Sequence, residues 1–164
     1  MFAASPSRHL ESKHDLYREL LGQARGLFEG ERDPLANSAN LAALIYHGLP
    51  DLNWAGFYWM KRGELVLGPF QGKPACVRIA LGKGVCGTAA QRRETLVVPD
   101  VDAFPGHIAC DAASRSEVVV PVVRGSQALG VLDLDSPKPA RFDADDAAGL
   151  EAMVSLFLEA TDLP

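Results

Sequence analysis

The hydrophobic period changes twice along this chain, and the order of those changes restricts the folds open to it. From Ser12 to Glu29 apolar residues recur at helical spacing (Leu16, Leu20 and Leu27 around Ala24), and Gly30 can end the helix. Asp33-Pro34 predicts a second helix start, since Asp accepts from free amides and Pro presets φ at the first helical position. Leu41, Leu44 and Ile45 carry that helix to Gly48. The texture then turns to strands: Leu52–Met60, Glu64–Phe70 and Ala75–Leu81, separated by Gly-containing turns. Gly82-Lys83-Gly84 leads into a short helix near Val85–Arg93, Thr95–Val98 is a brief extended piece, and residues 99–113 form a long loop. Val118–Val123 and Ala128–Asp135 read as a hairpin joined by Arg124-Gly125-Ser126-Gln127, and Asp143 caps a closing helix with Asp146 near its first turn. Helices, then mostly antiparallel strands, then a helix predict an α+β fold, a central sheet with helices packed on one face. The other face needs a cover. The long loop and the short helix are the candidates, and a sheet face under a loop makes a pocket.

With 164 residues, the chain fits a flexible arm over residues 1–10 and one domain over 11–164. At 48% hydrophobic and 23% charged it is too apolar to be disordered. A net charge of -5 argues against nucleic acid, because phosphate neutralisation needs a basic face. No apolar run approaches the ~18–20 residues that span a bilayer, and the first residues carry no secretory core, so the expectation is a soluble cytoplasmic protein with no membrane partner. Cysteines stand at 76, 86 and 110. An odd number without a secretory signal is not a disulfide framework, so each is buried filler, a ligand or a reactive thiol.

Val131-Leu132-Asp133-Leu134-Asp135 is the most informative stretch. Side chains alternate along a strand, so Leu132 and Leu134 face one way while Val131, Asp133 and Asp135 face the other. A solvated polar face would give the same pattern. Two acids on one strand face repel, however, and Asp is depleted in strands, a cost easier to understand if the face lines a site. Glu117 can join them across the hairpin. Clustered carboxylates raise one another's pKa, which keeps one protonated near neutral pH and able to donate to a substrate oxygen. The same cluster could bind an ammonium group or a hard metal ion. Trp54 and Tyr58, four positions apart on one strand, share a face with Gly56 between them. They read either as core aromatics or as a small box for a methyl-bearing group, with indole N–H and phenol O–H as orienting donors.

Cys110 lies in the loop segment Pro105–Asp111 beside His107, where a thiolate is accessible and tunable, and is the nucleophile candidate. Cys76 opens the strand Cys76-Val77-Arg78-Ile79. Cys86 opens the short helix, whose N-terminus can depress a thiol pKa; both cysteines can equally be small buried hydrophobes. No C-x-x-C pair exists and His107-x-x-Cys110 is a weak zinc signal, so no metal is expected. His9, His14 and His47 carry no assigned role, and Gly82–Gly87 matches neither a P-loop nor a dinucleotide fingerprint.

Asn53–Tyr58, Leu67–Cys76, Gly82–Ala89, Val98–Val101, Phe104–Asp111, Ser114–Glu117 and Gly130–Ser136 together resemble the free methionine-(R)-sulfoxide reductases, a stand-alone catalytic version of the GAF domain. The resemblance runs from about residue 15 to 160. It implies a GAF-like catalytic domain over 11–164 that reduces the R epimer of free methionine sulfoxide. By motif position it makes Cys110 the nucleophile, has Glu117, Asp133 and Asp135 hold the sulfoxide oxygen and the amino group, and frames the S-methyl end with Trp54 and Tyr58. Cys76 and Cys86 match the family's other two cysteines; Cys76 is favoured to resolve the intermediate, with Cys86 a rival or relay. The resemblance also implies a homodimer, recycling by thioredoxin and no metal or organic cofactor. Two other readings stay open: a sensor module of the same fold that binds a small ligand without turnover, and a thiol switch that reports oxidants.

Overall fold

The computed structural model describes residues 12–164, so the arm expected over residues 1–10, with His9, lies outside them. Helix α1 (Lys13–Phe28) starts where Ser12 accepts from the Asp15 amide, and α2 (Pro34–Gly48) where Asp33 accepts from Ala36. Strands β1 (Trp54–Lys61), β2 (Glu64–Gly72) and β3 (Arg78–Ala80) follow, then α3 (Gly84–Arg92) and β4 (Leu96–Val98). A 3₁₀ turn at Val101–Ala103 lies within the long connection to β5 (Ser116–Arg124) and β6 (Gln127–Ser136). Helix α4 (Ala144–Ala160) closes the chain, its start fixed by reciprocal bonds between Asp143 and Asp146.

The six strands form one sheet in the order β3-β2-β1-β6-β5-β4, every neighbouring pair antiparallel. Alternation divides the apolar residues between its two faces. Ala55, Phe57, Val118, Val120, Leu132 and Leu134 pack with Leu20, Leu41, Ile45, Leu150 and Phe157 of α1, α2 and α4. Trp54, Tyr58, Val119 and Val131 point the other way, onto Val85, Cys86, Ala89 and Ala90 of α3. The α+β layering expected from the order of periods is therefore present, with α3 and the long connection as the cover of the second face.

Two local expectations need correction. Cys76 does not open a strand: β3 begins at Arg78, and Lys73–Val77 form a loop. Pro74 has no amide to donate to a ladder, while the Trp54 indole N–H donates to Lys73 O (3.1 Å) and the Tyr58 hydroxyl to Cys76 O (2.9 Å). Those side chains hold the segment across the sheet face instead of along its edge. The hairpin loop is also shorter than expected. Arg124 pairs with Gln127, leaving only Gly125 and Ser126 between the strands, and Gly125 supplies the left-handed φ (62°) that a two-residue turn demands. Among the described residues no helix is long and apolar enough to cross a membrane.

Candidate active site

Strand pairing assembles the acids. Glu117 on β5 stands directly across from Asp135 on β6, and Trp54 on β1 pairs with the same Asp135 from its other side. Asp133 lies between Gly56 and Val119. Gly56 is required there, because a Cβ would run into the Phe70 side chain and the Trp54 ring, which stacks on Phe70 (5.3 Å) and on Tyr58 (5.8 Å). Trp54 and Tyr58 are thus both core aromatics and the wall of a site. Their polar tips are engaged with backbone carbonyls of the Cys76 loop, so they present ring faces rather than donors.

Beneath this wall is a cavity of about 40 Å³ bordered by Trp54, Tyr58, Cys86, Glu117, Asp133 and Asp135, with His107, Ile108 and Cys110 along the loop side. Cys110, in the exposed part of the long connection, is disulfide-bonded to Cys76 across a sequence separation of 34, with Cα atoms 5.6 Å apart. The third cysteine, Cys86, is free and buried, and its thiol donates to Glu117 Oε1 (3.8 Å). Glu117 Oε2 faces His107 Nε2 at 3.8 Å.

Burial dominates the electrostatics. It pushes the Glu117 carboxyl well above the usual carboxylate range, and the neighbouring Asp133 and Asp135 push it further. Burial likewise raises Asp135, with Asp133 and Asp111 adding to the effect. Asp133 is pushed up to about 6 by burial, opposed by hydrogen bonds from Cys86 and Glu117. The Cys86 thiol is driven up by burial and then by Asp133 and Glu117. The expected lowering by the helix N-terminus therefore loses to desolvation and two nearby acids. Three carboxyls in one dry space hold at least one proton in common, which makes the cluster a hydrogen-bond donor as well as an acceptor. Asp133 Oδ1 is buried without a partner, an acceptor available to a guest. Donor atoms of Cys86, Glu117 and Asp133 lie within 4.8 Å of one another, a spacing a metal ion could also bridge.

Three residues to which the sequence reading gave no role anchor the loop that carries Cys110. The Asn53 side-chain amide donates to Asp111 Oδ2 (3.2 Å) and to Ser114 Oγ (3.1 Å), and its backbone N–H donates to Asp135 O (3.0 Å). One residue thus ties the segment after Cys110 to the strand that carries the acids. An Asn just ahead of an aromatic strand, at the head of the Asn53–Tyr58 motif, was the available signal, and turns produce the same one.

A family model for the GAF domain matches residues 37–161. Protein YtsP of Bacillus subtilis is 57% identical over 132 residues, 79% of this chain and 81% of that protein. The free methionine-R-sulfoxide reductase of Escherichia coli is 51% identical over 144 residues, covering 88% of this chain and 87% of the relative. Among solved structures, the free methionine-R-sulfoxide reductase of Neisseria meningitidis in complex with its substrate superposes with a TM-score of 0.92 at 44% identity, over 98% of this chain and 95% of that one. Identity of this order, sustained over nearly the full span and carried by a GAF fold, places the chain plainly: it belongs to the free methionine-R-sulfoxide reductase family.

Proposed function

We propose that this chain reduces free L-methionine-(R)-S-oxide to L-methionine by thiol chemistry, with residues 11–164 acting as one catalytic unit. The observation that carries the reading is Cys110, joined to a second cysteine at the edge of a cavity whose floor is three proton-sharing acids. A sulfoxide sulfur is a poor electrophile until its oxygen is protonated, so a thiolate needs an acid beside it. The Cys110 thiolate attacks the sulfoxide sulfur while the Glu117–Asp133–Asp135 cluster donates a proton to the oxygen. Oxygen passes to Cys110 as sulfenic acid, and methionine leaves. The raised acids suit this step, since they keep a proton available near neutral pH. Trp54 and Tyr58 frame the S-methyl end by their ring faces, and the carboxylates left ionised hold the substrate amino group.

The Cys76 thiol then condenses with the sulfenic acid, releasing water and forming the disulfide. Cys76 suits the resolving role because its loop already lies within bonding distance of Cys110, whereas Cys86 is held in the acid cluster by Glu117. Thioredoxin, a dithiol reductant of the cytoplasm, restores both thiols by exchange. Metal and organic cofactors have no step in this cycle, and the working form is a homodimer. The test is NADPH consumption with thioredoxin, thioredoxin reductase and free methionine-(R)-sulfoxide. Wild type turns over and ignores the S epimer, while Cys110→Ser is inactive. Full turnover by Cys110→Ser would refute the assignment.

A further inference from the structure

Cys86 has no step in the proposed cycle, yet its buried thiol is turned onto the acids, 3.8 Å from Glu117 Oε1. Those acids lack a balancing cation: among the described residues no lysine or arginine forms an ion pair with Glu117, Asp133 or Asp135. Crowded carboxyls in a dry space favour a positive guest. The ammonium group of an amino acid is one such guest, but it has no use for a sulfur. A metal ion has. Ligand atoms of Cys86, Glu117 and Asp133 lie within 4.8 Å of one another. Asp133 adds a separate pointer: it is 6% exposed, it borders the cavity, and its Oδ1 is buried with no hydrogen-bond partner. Tetrahedral zinc, at about 2.3 Å from sulfur and about 2.1 Å from oxygen, sets those two ligands about 3.6 Å apart, close to the separation of Cys86 Sγ and Glu117 Oε1. The cavity of about 40 Å³ has room for an ion and one water, and half-buried Asp135 and exposed Ile108 border it on the way in.

We propose that a divalent cation of the zinc class binds Cys86 Sγ, Glu117 and Asp133, with water in the fourth position, and switches the enzyme off by excluding the substrate. The off state rests on the reductase reading of the site; the binding does not. As the sulfur–metal bond forms, the Cys86 thiol gives its proton to solvent, and neither metal nor sulfur changes oxidation state. The sulfur ligand selects zinc and its neighbours over magnesium and calcium, which take oxygen alone. Carboxylates tied to the ion have no proton to share with a sulfoxide oxygen and no free charge for an amino group. Metal and substrate therefore exclude one another.

The probe is cobalt(II), which enters tetrahedral zinc sites and reports a thiolate ligand by a sulfur-to-metal charge-transfer band in the near ultraviolet. The oxidised protein is used, because the Cys76–Cys110 bridge leaves Cys86 as the single thiol among 3 cysteines. Wild type is expected to develop the band, to lose it to added zinc, and to keep it in the same concentration of magnesium. Cys86→Ser is expected to lack the band. Asp133→Asn and Glu117→Gln are expected to keep it but to need at least about tenfold more cobalt. Should Cys86→Ser fail to fold, the two carboxamide variants carry the test. No band in wild type, unchanged affinity in both carboxamide variants, or displacement by magnesium overturns the site. Free methionine-(R)-sulfoxide finds no Cys110 thiol in this form and is expected to displace the cobalt without turnover. A band that persists while calorimetry shows the sulfoxide bound overturns the mutual exclusion. Failure of the metal-free protein to bind the sulfoxide at all would count against the proposed function and leave the cobalt site standing.

Discussion

Glu117 and Asp133 hold protons in a space that water barely reaches, and their titration links catalysis to stability. Asp133 keeps its proton up to about pH 6 in the folded chain, against an ordinary value of 3.8. Over that window the native state binds more protons than the unfolded one, so stability falls as pH rises from about 4 to about 6 and stays lower above. Asp133→Asn removes the titration. Urea midpoints are expected to rise relative to wild type between about pH 4 and about pH 8, while turnover drops by roughly 10²-fold because the cluster loses one of its proton-sharing carboxyls. A parallel pH dependence in the two proteins would contradict this. The site residues on strands were legible because a period of two fixes which side chains share a face. Asn53 was not legible, since its partners, Asp111 and Ser114, are 58 and 61 positions away and nothing local announces them.

Among the elements, α1 and α4 are joined through Asp146, which is fully buried and accepts from the Tyr17 hydroxyl (2.8 Å), Lys13 Nζ (2.6 Å) and Arg141 Nη1 (3.2 Å). A buried carboxylate with two cationic partners is costly to remove, because those charges are then left uncompensated. Asp146→Ala is expected to lower unfolding free energy by about 3–5 kcal/mol, read by denaturant titration, with little change in KM for the sulfoxide. One turn further along α4, Gly149 meets the face of Tyr17 so closely that a Cβ would collide with the ring. Ala is favoured over Gly in a helix by about 1 kcal/mol, but overpacking against a buried ring costs about 1–3 kcal/mol. Gly149→Ala is therefore expected to destabilise, and a raised melting temperature would show that the helices separate freely. Helix starts were readable because Ser12, Asp33 and Asp143 are local signals that the fold uses as local rules predict. The path of Lys73–Val77 was not, because hydrogen bonds from Trp54 and Tyr58, distant in sequence, override the strand propensity of the residues around Cys76.

For the molecule as a whole, the sheet separates support from chemistry: one face is sealed by three helices, and the other is left to α3 and the long connection. This division was visible in the order of the periods, whereas spacing alone carries no information about which loops meet over a sheet, and it was the family resemblance that favoured Cys76 over Cys86 as the partner of Cys110. The bridge between Cys76 and Cys110 joins those two loops across 34 positions. Closing a ring of that size restricts the unfolded chain by about 3–4 kcal/mol in the chain-entropy model. Each turnover therefore tightens the molecule as sulfoxide is consumed and slackens it as electrons arrive. For a chain of this length that difference corresponds to roughly 10 °C in the melting midpoint, present in wild type between oxidised and reduced samples and absent in Cys76→Ser. A thermal scan then serves as a fuel gauge: the fraction melting late counts the copies still waiting to be recharged.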